Sequence, residues 1–528
     1  MSASLPRSAA GDRSPWLIAT IVSLATFMEV LDTTIANVAL RHMAGGVGAS
    51  QDESTWILTT YLVTNAIVLP VSGYLATIFG RKRFYMGCVA LFTVASLGCA
   101  LSPNLPMLLV FRALQGIGGG GLAPAEQSIL ADTFPPEQRG QAFALYGLTV
   151  VTAPAIGPAL GGWITDNYSW HWIFLINVPV GFLSVFLVSV FVQEPEAVRE
   201  DQRRFRAEGG GIDWVGFGLA AVALGSLQVV LDRAVIDDGF WSPLVTWLTV
   251  ACVLGFVALI PWERRQQRPA VDVRLFAHRS FLAAALIMFL VAFSLFSTTQ
   301  LLPQLTQELM GYDATTAGLT LAVGGLGTVF IMPIAGKIVG PVQPRWIILC
   351  AMIWSGFALL YATRLNLQMS FWDVSTMRIL QVVALPFLFV PITTAAYIGL
   401  PPDKTNDASA LINLMRNLGA SVGIAVMNAV VVRGAQFHQA RLTESASDYN
   451  PLWTEHLAQT EAALRQSGVG AAEAPAAALA QMAGQVQAQA QALSYIDAFW
   501  LLGVAVLTLW PLVFLMRNMP KGTQASGH

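Results

Sequence analysis

The chain has 528 residues, 29 of them Lys or Arg and 31 Asp or Glu, for a formal net charge of -2. Hydrophobic residues make up 55% and charged residues only 11%, whereas soluble globular domains are about 25% charged; this balance cannot coat a water-soluble surface. The near-neutral charge, spread over many short segments, gives no basic patch for nucleic acid. Apolar runs of about 20 residues, long enough to cross ~30 Å of hydrocarbon, make the bilayer the solvent for most of the chain.

The polar first fifteen residues lead into a run at 16–39 that is too long for a signal peptide and has no small-residue cleavage site behind it, so a retained anchor is expected. Further spans are expected at 54–78, 84–101, 106–131, 140–165 and 171–192, then at 213–232 and 243–262. The series closes with 281–303, 315–338, 346–363, 375–400, 408–432 and 496–516. Fourteen helices is the expectation, because backbone groups in lipid must be satisfied within their own segment; the short alternating strands of an outer-membrane barrel are not in the pattern. With the N-terminus inside, most Lys and Arg fall in inner loops, the Arg81-Lys82-Arg83 cluster among them. Arg41, Arg233, Arg364, Arg433, Arg441 and Arg465 fall outside. Both termini are therefore expected in the cytoplasm.

An internal repeat organises these spans. Arg112-Ala-Leu-Gln115 recurs as Arg378-Ile-Leu-Gln381, and in each copy a Pro-Pro-acidic turn follows 23 residues after the arginine, at Pro135-Pro136-Glu137 and Pro401-Pro402-Asp403. Ala142 and Ala408 open the next helix at the same offset. The expected fold is an all-α membrane protein of two six-helix bundles, 1–192 and 281–516, flanking a linker at 193–280 with two extra transmembrane helices, and followed by a cytoplasmic tail at 517–528. Parallel repeats of this kind belong to alternating-access carriers, with the site between the halves near the midplane. Residues 433–494 form an Ala- and Gln-rich outer loop with Leu479, Met482, Val486 and Leu493 at helical spacing, read as a solvated helical excursion or as a docking or lid element. Cys88, Cys99, Cys252 and Cys350 lie in apolar segments without ligand spacing and read as small core residues; no metal or cofactor site is expected.

Charges inside a span cost about 2.5–3.5 kcal/mol each on insertion scales, so each needs a reason. Glu29 and Asp32 share one face of the first span. The fourth span carries Arg112, Gln115 and, after Pro124, Glu126; Arg112 sits at a depth comparable to Asp32, so the two can pair either as a static pin or as a proton-linked switch. Asp32 is the leading proton carrier, Glu29 a second site and Arg112 the switch, with Glu126 as the fallback. An acid whose arginine partner comes and goes changes its proton affinity. Arg378 and Arg416, in spans twelve and thirteen, are read as helix-packing cations, and Glu308 and Asp497 as interfacial. An aromatic cavity is expected where spans one, four, nine and twelve meet, lined by Phe27, Phe289, Phe293, Phe296, Gln300 and Phe389. No G-x-x-x-x-G-K-[ST] occurs, so ATP is not the energy source read here.

Four segments resemble a known family. Gly73-Tyr-Leu-Ala-Thr-Ile-Phe-Gly80-Arg81-Lys82-Arg83 is similar to the loop motif between helices two and three of the major facilitator superfamily, with Thr77 where an acidic residue is usual. Arg112-x-x-Gln115-Gly116 resembles its fourth-helix motif, and Gly157-Pro158-x-x-Gly161-Gly162 its helix-five antiporter motif. The segment Leu31-Asp32-Thr33-Thr34-Ile35-Ala36-Asn37-Val38-Ala39 resembles the first-helix motif of the fourteen-span drug:proton antiporters, closest to EmrB-type multidrug exporters. The resemblance implies proton-driven efflux of small organic compounds with Asp32 and Arg112 in the coupling relay. It also implies a membrane-fusion adaptor and an outer-membrane channel as partners in two-membrane bacteria. Proton-linked import or export of a specific metabolite or siderophore is the main rival. A non-transporting sensor would be expected to append a signalling domain, and an enzyme to show H-E-x-x-H, G-x-S-x-G or clustered carboxylates.

Overall fold

The computed structural model describes residues 14–516, apart from 136–137, 195, 197–198, 201, 204–212, 235–240, 268, 340–341, 399, 401–403 and 448. Among the described residues, thirteen helices are long and apolar enough to cross a membrane. The first half holds α1 (Pro15–Val38), α2 (Trp56–Phe79), α3 (Arg81–Ala100), α4 (Leu105–Thr133), α5 (Arg139–Asn167) and α6 (His171–Phe191). Then come α7 (Trp214–Arg233) and α8 (Pro243–Arg265), followed by α9 (Arg279–Leu309), α10 (Ala314–Ile338), α11 (Pro344–Arg364), α12 (Phe371–Ala396), α13 (Thr405–Thr443) and α14 (Ala474–Leu515). The fourteenth span is α5, whose segments Arg139–Pro154 and Ile156–Asn167 meet at 42°. Pro154 and Pro158 lie inside that helix, and each removes a backbone donor and crowds the preceding turn.

Local chemistry sets the helix ends. Asn104, Asp213 and Asp313 each accept a backbone N–H at the head of α4, α7 and α10, and Ser370 with Asp373 forms a capping box at the head of α12. Such caps satisfy the donors that a helix start leaves open. Gly80 separates α2 from α3 at φ +92, a left-handed conformation that favours glycine. The two Pro-Pro-acidic turns of the repeat lie mostly outside the described residues.

The largest departure from the expected spans is at the outer excursion. α13 runs for 39 residues, to Thr443, about 58 Å at 1.5 Å per residue. The helical part of α14, Ala474–Thr508, covers 35 residues. Both therefore project well beyond ~30 Å of hydrocarbon. A further helix, Pro451–Gln466, has no buried residue and lies against α14. What reads as a long loop is mostly a continuation of the flanking helices, because Ala- and Gln-rich sequence keeps helix propensity after the apolar run ends. Of the expected stripe, Met482 is buried, Val486 and Leu493 are half-buried, and Leu479 is 53% exposed. Cys350 is also exposed, unlike the three buried cysteines; it sits on the outward face of α11, where lipid accepts a small apolar side chain as readily as a core does.

The halves pack chiefly through α5 against α10 and α2 against α13, with α4 and α12 contributing. The expected meeting of helices one, four, nine and twelve is thus corrected: α1 and α9 do not form the seam. Small residues decide this, because backbones approach closely only where side chains are short. A Cβ on Gly140 would lie 3.1 Å from the Gly336 carbonyl, one on Gly318 3.1 Å from the Ala159 nitrogen, and one on Gly73 2.9 Å from the Asn406 backbone. Ser409 adds hydrogen bonds to the Pro124 carbonyl at 2.9 Å and to Gln127 at 3.1 Å.

Candidate functional site

Asp32 on α1 and Arg112 on α4 are paired at 2.8 Å, both side chains fully buried. Taking two charges out of water costs several kcal/mol per ion, which one pairing recovers only with further hydrogen bonds. Asp32 has them. Its Oδ2 accepts from Arg112, and its Oδ1 accepts from Gln115 Nε2 at 2.9 Å and from Asn177 Nδ2, on α6, at 2.6 Å. Arg112 also donates through Nε to the Ile57 carbonyl at 3.0 Å and through Nη1 to Gln115 at 2.7 Å. Gln115 donates in addition to Ser96 on α3 at 2.8 Å. Donors from two helices, α4 and α6, thus meet on the carboxylate that α1 carries, with Ser96 of α3 behind Gln115. Both carboxylate oxygens are held by donors, Oδ2 by Arg112 and Oδ1 by Gln115 and Asn177.

Tyr61 on α2 joins this centre to the second acid. Its ring lies 4.5 Å from the Arg112 guanidinium carbon, and its hydroxyl donates to Glu29 Oε1 at 2.7 Å. Asn65, one turn on, approaches the same oxygen at 3.4 Å and accepts from Asn417 of α13 at 2.9 Å. The Asp32–Arg112 pair therefore rests against the Tyr61 ring, and hydrogen bonds run on from the Tyr61 hydroxyl through Glu29 and Asn65 to Asn417 across the seam. Glu126 lies deeper on α4 and accepts from Ser23 Oγ at 2.6 Å. Arg416, in the other half, is an electrostatic neighbour of both Glu29 and Glu126 and donates to the hydroxyl of Tyr146 on α5. Tyr61, Asn65, Ser96, Asn177 and Tyr146 were not singled out by sequence reasoning. The i, i+4 spacing of Tyr61 and Asn65, and an asparagine within the apolar run of α6, are the signals that could have found them.

The remaining motif residues shape contacts between helices. Arg81 pairs with Asp132 on α4, its backbone N–H donates to Glu194 at 2.7 Å, and Lys82 Nζ donates to the Ser189 carbonyl at 2.7 Å. Thr77 bonds its own helix at the Gly73 carbonyl, 3.1 Å away. A Cβ on Gly157 would meet Thr34 Oγ1 at 2.0 Å and one on Gly161 the Ile35 side chain at 3.0 Å, so these glycines seat α1 on α5; Gly162 faces open space. Pro158 lies beside Gly318 of α10.

Phe27, Phe289, Phe293, Phe296 and Gln300 are half-buried. Phe389 is buried at 2% exposure, and a Cβ on Gly147 of α5 would stand 3.9 Å from it, which places it in the seam. Glu308 and Asp497 are exposed; Glu308 accepts from Tyr495 at 3.4 Å and Asp497 pairs with His438 at 2.7 Å. No group of His, Cys, Asp and Glu among the described residues has the arrangement of a metal site.

Residues 22–424 match the model of the Major Facilitator Superfamily. The chain is 37% identical over 507 residues to the multidrug export protein EmrB of Escherichia coli K12, covering 96% of each chain. It is 35% identical over 512 residues to EmrB of Haemophilus influenzae, again covering 96% of each. The human organic anion transporter MFSD10 has a similar fold, with TM-score 0.60 at 15% identity, covering 95% of this chain and 100% of that one. The helical architecture, the buried acid–arginine centre and these likenesses agree: the chain belongs to the major facilitator superfamily of membrane-spanning transporters and is related over nearly its whole length to the EmrB multidrug export proteins.

Proposed function

We propose that this protein is a proton-coupled antiporter that exports lipophilic small organic compounds across a bacterial inner membrane, with both termini in the cytoplasm. The observation that carries the reading is the fully buried Asp32–Arg112 pair, joined through Tyr61 and Glu29 to Asn417 on the opposite half. Relatives named as multidrug export proteins supply the direction and the substrate class. The halves, 1–192 and 281–516, rock about the α5–α10 and α2–α13 seam. The Gly73–Asn406 and Ser409–Pro124 contacts open and close with each cycle, and Glu29 and Glu126 serve as further proton sites. The glycines at 73, 80, 157 and 161, with Arg81, Lys82 and Pro158, set how far the helices move. Gly162, facing open space, contributes nothing to that packing.

Release of a proton from Asp32 restores its pairing with Arg112, and that exchange drives the switch. One proton crossing about 150 mV supplies roughly 3.4 kcal/mol, enough to hold a substrate gradient of about 300-fold. The outer excursion, residues 433–494, docks a membrane-fusion adaptor that leads to an outer-membrane channel. Purified protein in liposomes, given an imposed pH gradient and a panel of lipophilic fluorescent dyes, should move dye against its gradient and stop when the pH gradient is collapsed. Equal movement with and without the pH gradient would overturn the coupling.

A further inference from the structure

The four helices that chiefly form the seam carry charge at depth only once. Residues 56–79 of α2, 140–165 of α5, 314–336 of α10 and 408–432 of α13 contain a single Asp, Glu, Lys or Arg, and it is Arg416. A charge held at membrane depth is costly unless an opposite charge offsets it. No carboxylate pairs with Arg416 directly among the described residues. Its contact is Tyr146 of α5, whose hydroxyl accepts from Nη1 and whose ring centroid lies 5.7 Å from the guanidinium carbon. The carboxylates that act on it through space are Glu29 of α1 and Glu126 of α4, and Arg416 is the cation that acts most strongly on each. Both acids are buried, and Glu126 Oε2 has no hydrogen-bond partner among the described residues. The cation therefore belongs to one half and its counter-charges to the other.

The face of α13 that carries Arg416 is stitched to the first half on either side of it. Asn413 accepts from Tyr146 at 3.0 Å and donates to Gln127 of α4 at 2.9 Å. Asn417 donates to Asn65 of α2 at 2.9 Å, and Asn65 approaches Glu29. Ser409, Asn413, Arg416 and Asn417 share that face by their spacing. The contacts run from mid-depth to the end where α2 finishes and α13 begins, the cytoplasmic end in the orientation proposed above. Parting the halves along this line draws Arg416 away from Glu29 and Glu126, which costs attraction only while those acids are ionised. Whatever proton binding does to the opening, opening must do to proton binding.

We infer that Arg416 is the positioning residue that makes opening of the cytoplasmic end depend on proton binding. Ionised Glu29 and Glu126 hold it, and α13 with it, against the first half; their protonation frees α13 to move. The inference rests on the proton-coupled rocking proposed above. The other groups around this line are Asp32, one turn beyond Glu29, and the phenols Tyr61 and Tyr146, which ordinarily titrate near about pH 10 and stay neutral. The α9 segment behind α13 is uncharged from Phe281 to Gln307.

A thermodynamic cycle on the full-length protein in liposomes tests this. Spin labels at Arg83→Cys of α3 and Lys337→Cys of α10, both exposed at the cytoplasmic end, report the open-to-closed ratio by double electron resonance once the four native cysteines are replaced by alanine. At pH 8, Arg416→Gln should raise that ratio about tenfold, the scale of a partly screened charge pair, and Arg416→Lys should stay near the wild type. In a Glu29→Gln/Glu126→Gln background, Arg416→Gln should change the ratio less than about twofold. A merely structural arginine gives equal changes in both backgrounds, and that result would overturn the inference. Should Arg416→Gln not fold, the acids decide: Glu29→Gln/Glu126→Gln should open the end at pH 8 as low pH opens the wild type, and an unchanged ratio sinks the role of Arg416. Dye movement plays no part in this readout, so a failed cycle beside intact pH-driven export leaves the transport reading standing.

Discussion

The two halves of the molecule carry the same arginine–glutamine pair on the same scaffold, yet among the described residues only the first half gives it a carboxylate. Around Arg112 stand Asp32, Ser96 and Asn177, with Tyr61 and Glu29 beyond; around Arg378 stand Thr298 and Thr299. At the same offset Glu29 becomes Leu295, Tyr61 becomes Gly327 and Ser96 becomes Ala362. Duplication preserved the arginine–glutamine pair while its partner changed from a carboxylate on one side to a hydroxyl on the other.

The largest effect should come from removing the acid that distinguishes the halves. Asp32→Asn keeps hydrogen-bonding groups for Gln115 and Asn177, so the protein should insert. Its steady-state pH-driven gradient in liposomes should fall from about 300-fold toward none. Adding Thr298→Asp to that variant should not restore it, because the second half lacks the Ser96, Asn177 and Tyr61 environment. Restored accumulation in the double variant would show the halves to be interchangeable, and full transport by Asp32→Asn alone would shift the proton role to Glu29 or Glu126.

Next in size, Arg112→Met should lower stability by about 3–5 kcal/mol, since it leaves Asp32 buried without its charge partner; denaturant titration of the reconstituted protein reads this. A midpoint at the wild-type value would mean that Asp32 is neutral there in the resting state. The α1–α5 contact of the first half offers a finer test. Gly157→Ala must push against Thr34 and should cost about 1–3 kcal/mol with loss of transport, whereas Gly162→Ala faces open space and should stay within about 0.5 kcal/mol. Equal effects at both glycines would mean that the motif acts through helix flexibility and not through the α1 contact.

The second half differs from the first also in its outer excursion. Deleting 444–473 and closing the gap with a short turn should leave transport in liposomes within about twofold, a difference of only about 0.4 kcal/mol in driving force. The same deletion should remove drug resistance in cells with two membranes. Equal loss in both assays would make the excursion a lid or a folding element. The smallest effect is expected at Lys404, which ties the start of α13 to the linker through Asp272 at 2.8 Å and pairs locally with Asp407 of α13 at 3.3 Å. Burial alone would lower its pKa, but the two carboxylates outweigh that and raise it. The stabilisation is therefore present below the ordinary lysine value and lost only as pH rises through the raised one. Lys404→Met should cost less than about 1 kcal/mol for this half-exposed pair, with no pH dependence between about pH 6 and 8.

Much of this was legible without coordinates. Apolar runs of membrane length gave the spans, since lipid enforces helices wherever such runs occur. The recurrence of Arg112-x-x-Gln115 as Arg378-x-x-Gln381 gave the duplication. Buried charge is rare enough in lipid that Glu29, Asp32, Arg112 and Glu126 stood out from composition alone. The excursion is helical, as its spacing suggests, but helix propensity continues where hydrophobicity stops, so the hydropathy boundary at 432 is not a helix boundary.

What the sequence by itself determined is therefore the apolar spans, the duplication of the arginine–glutamine motif and which ionisable groups lie within spans, all consequences of the solvent acting on each segment separately. Only the tertiary structure decided that Asn177, Ser96 and Tyr61 complete the Asp32–Arg112 centre, that the seam is α5–α10 and α2–α13, and that Arg378 faces Thr298. Those facts depend on which helix faces meet, and side chains from different spans gather around one carboxylate without any spacing in the chain that records it.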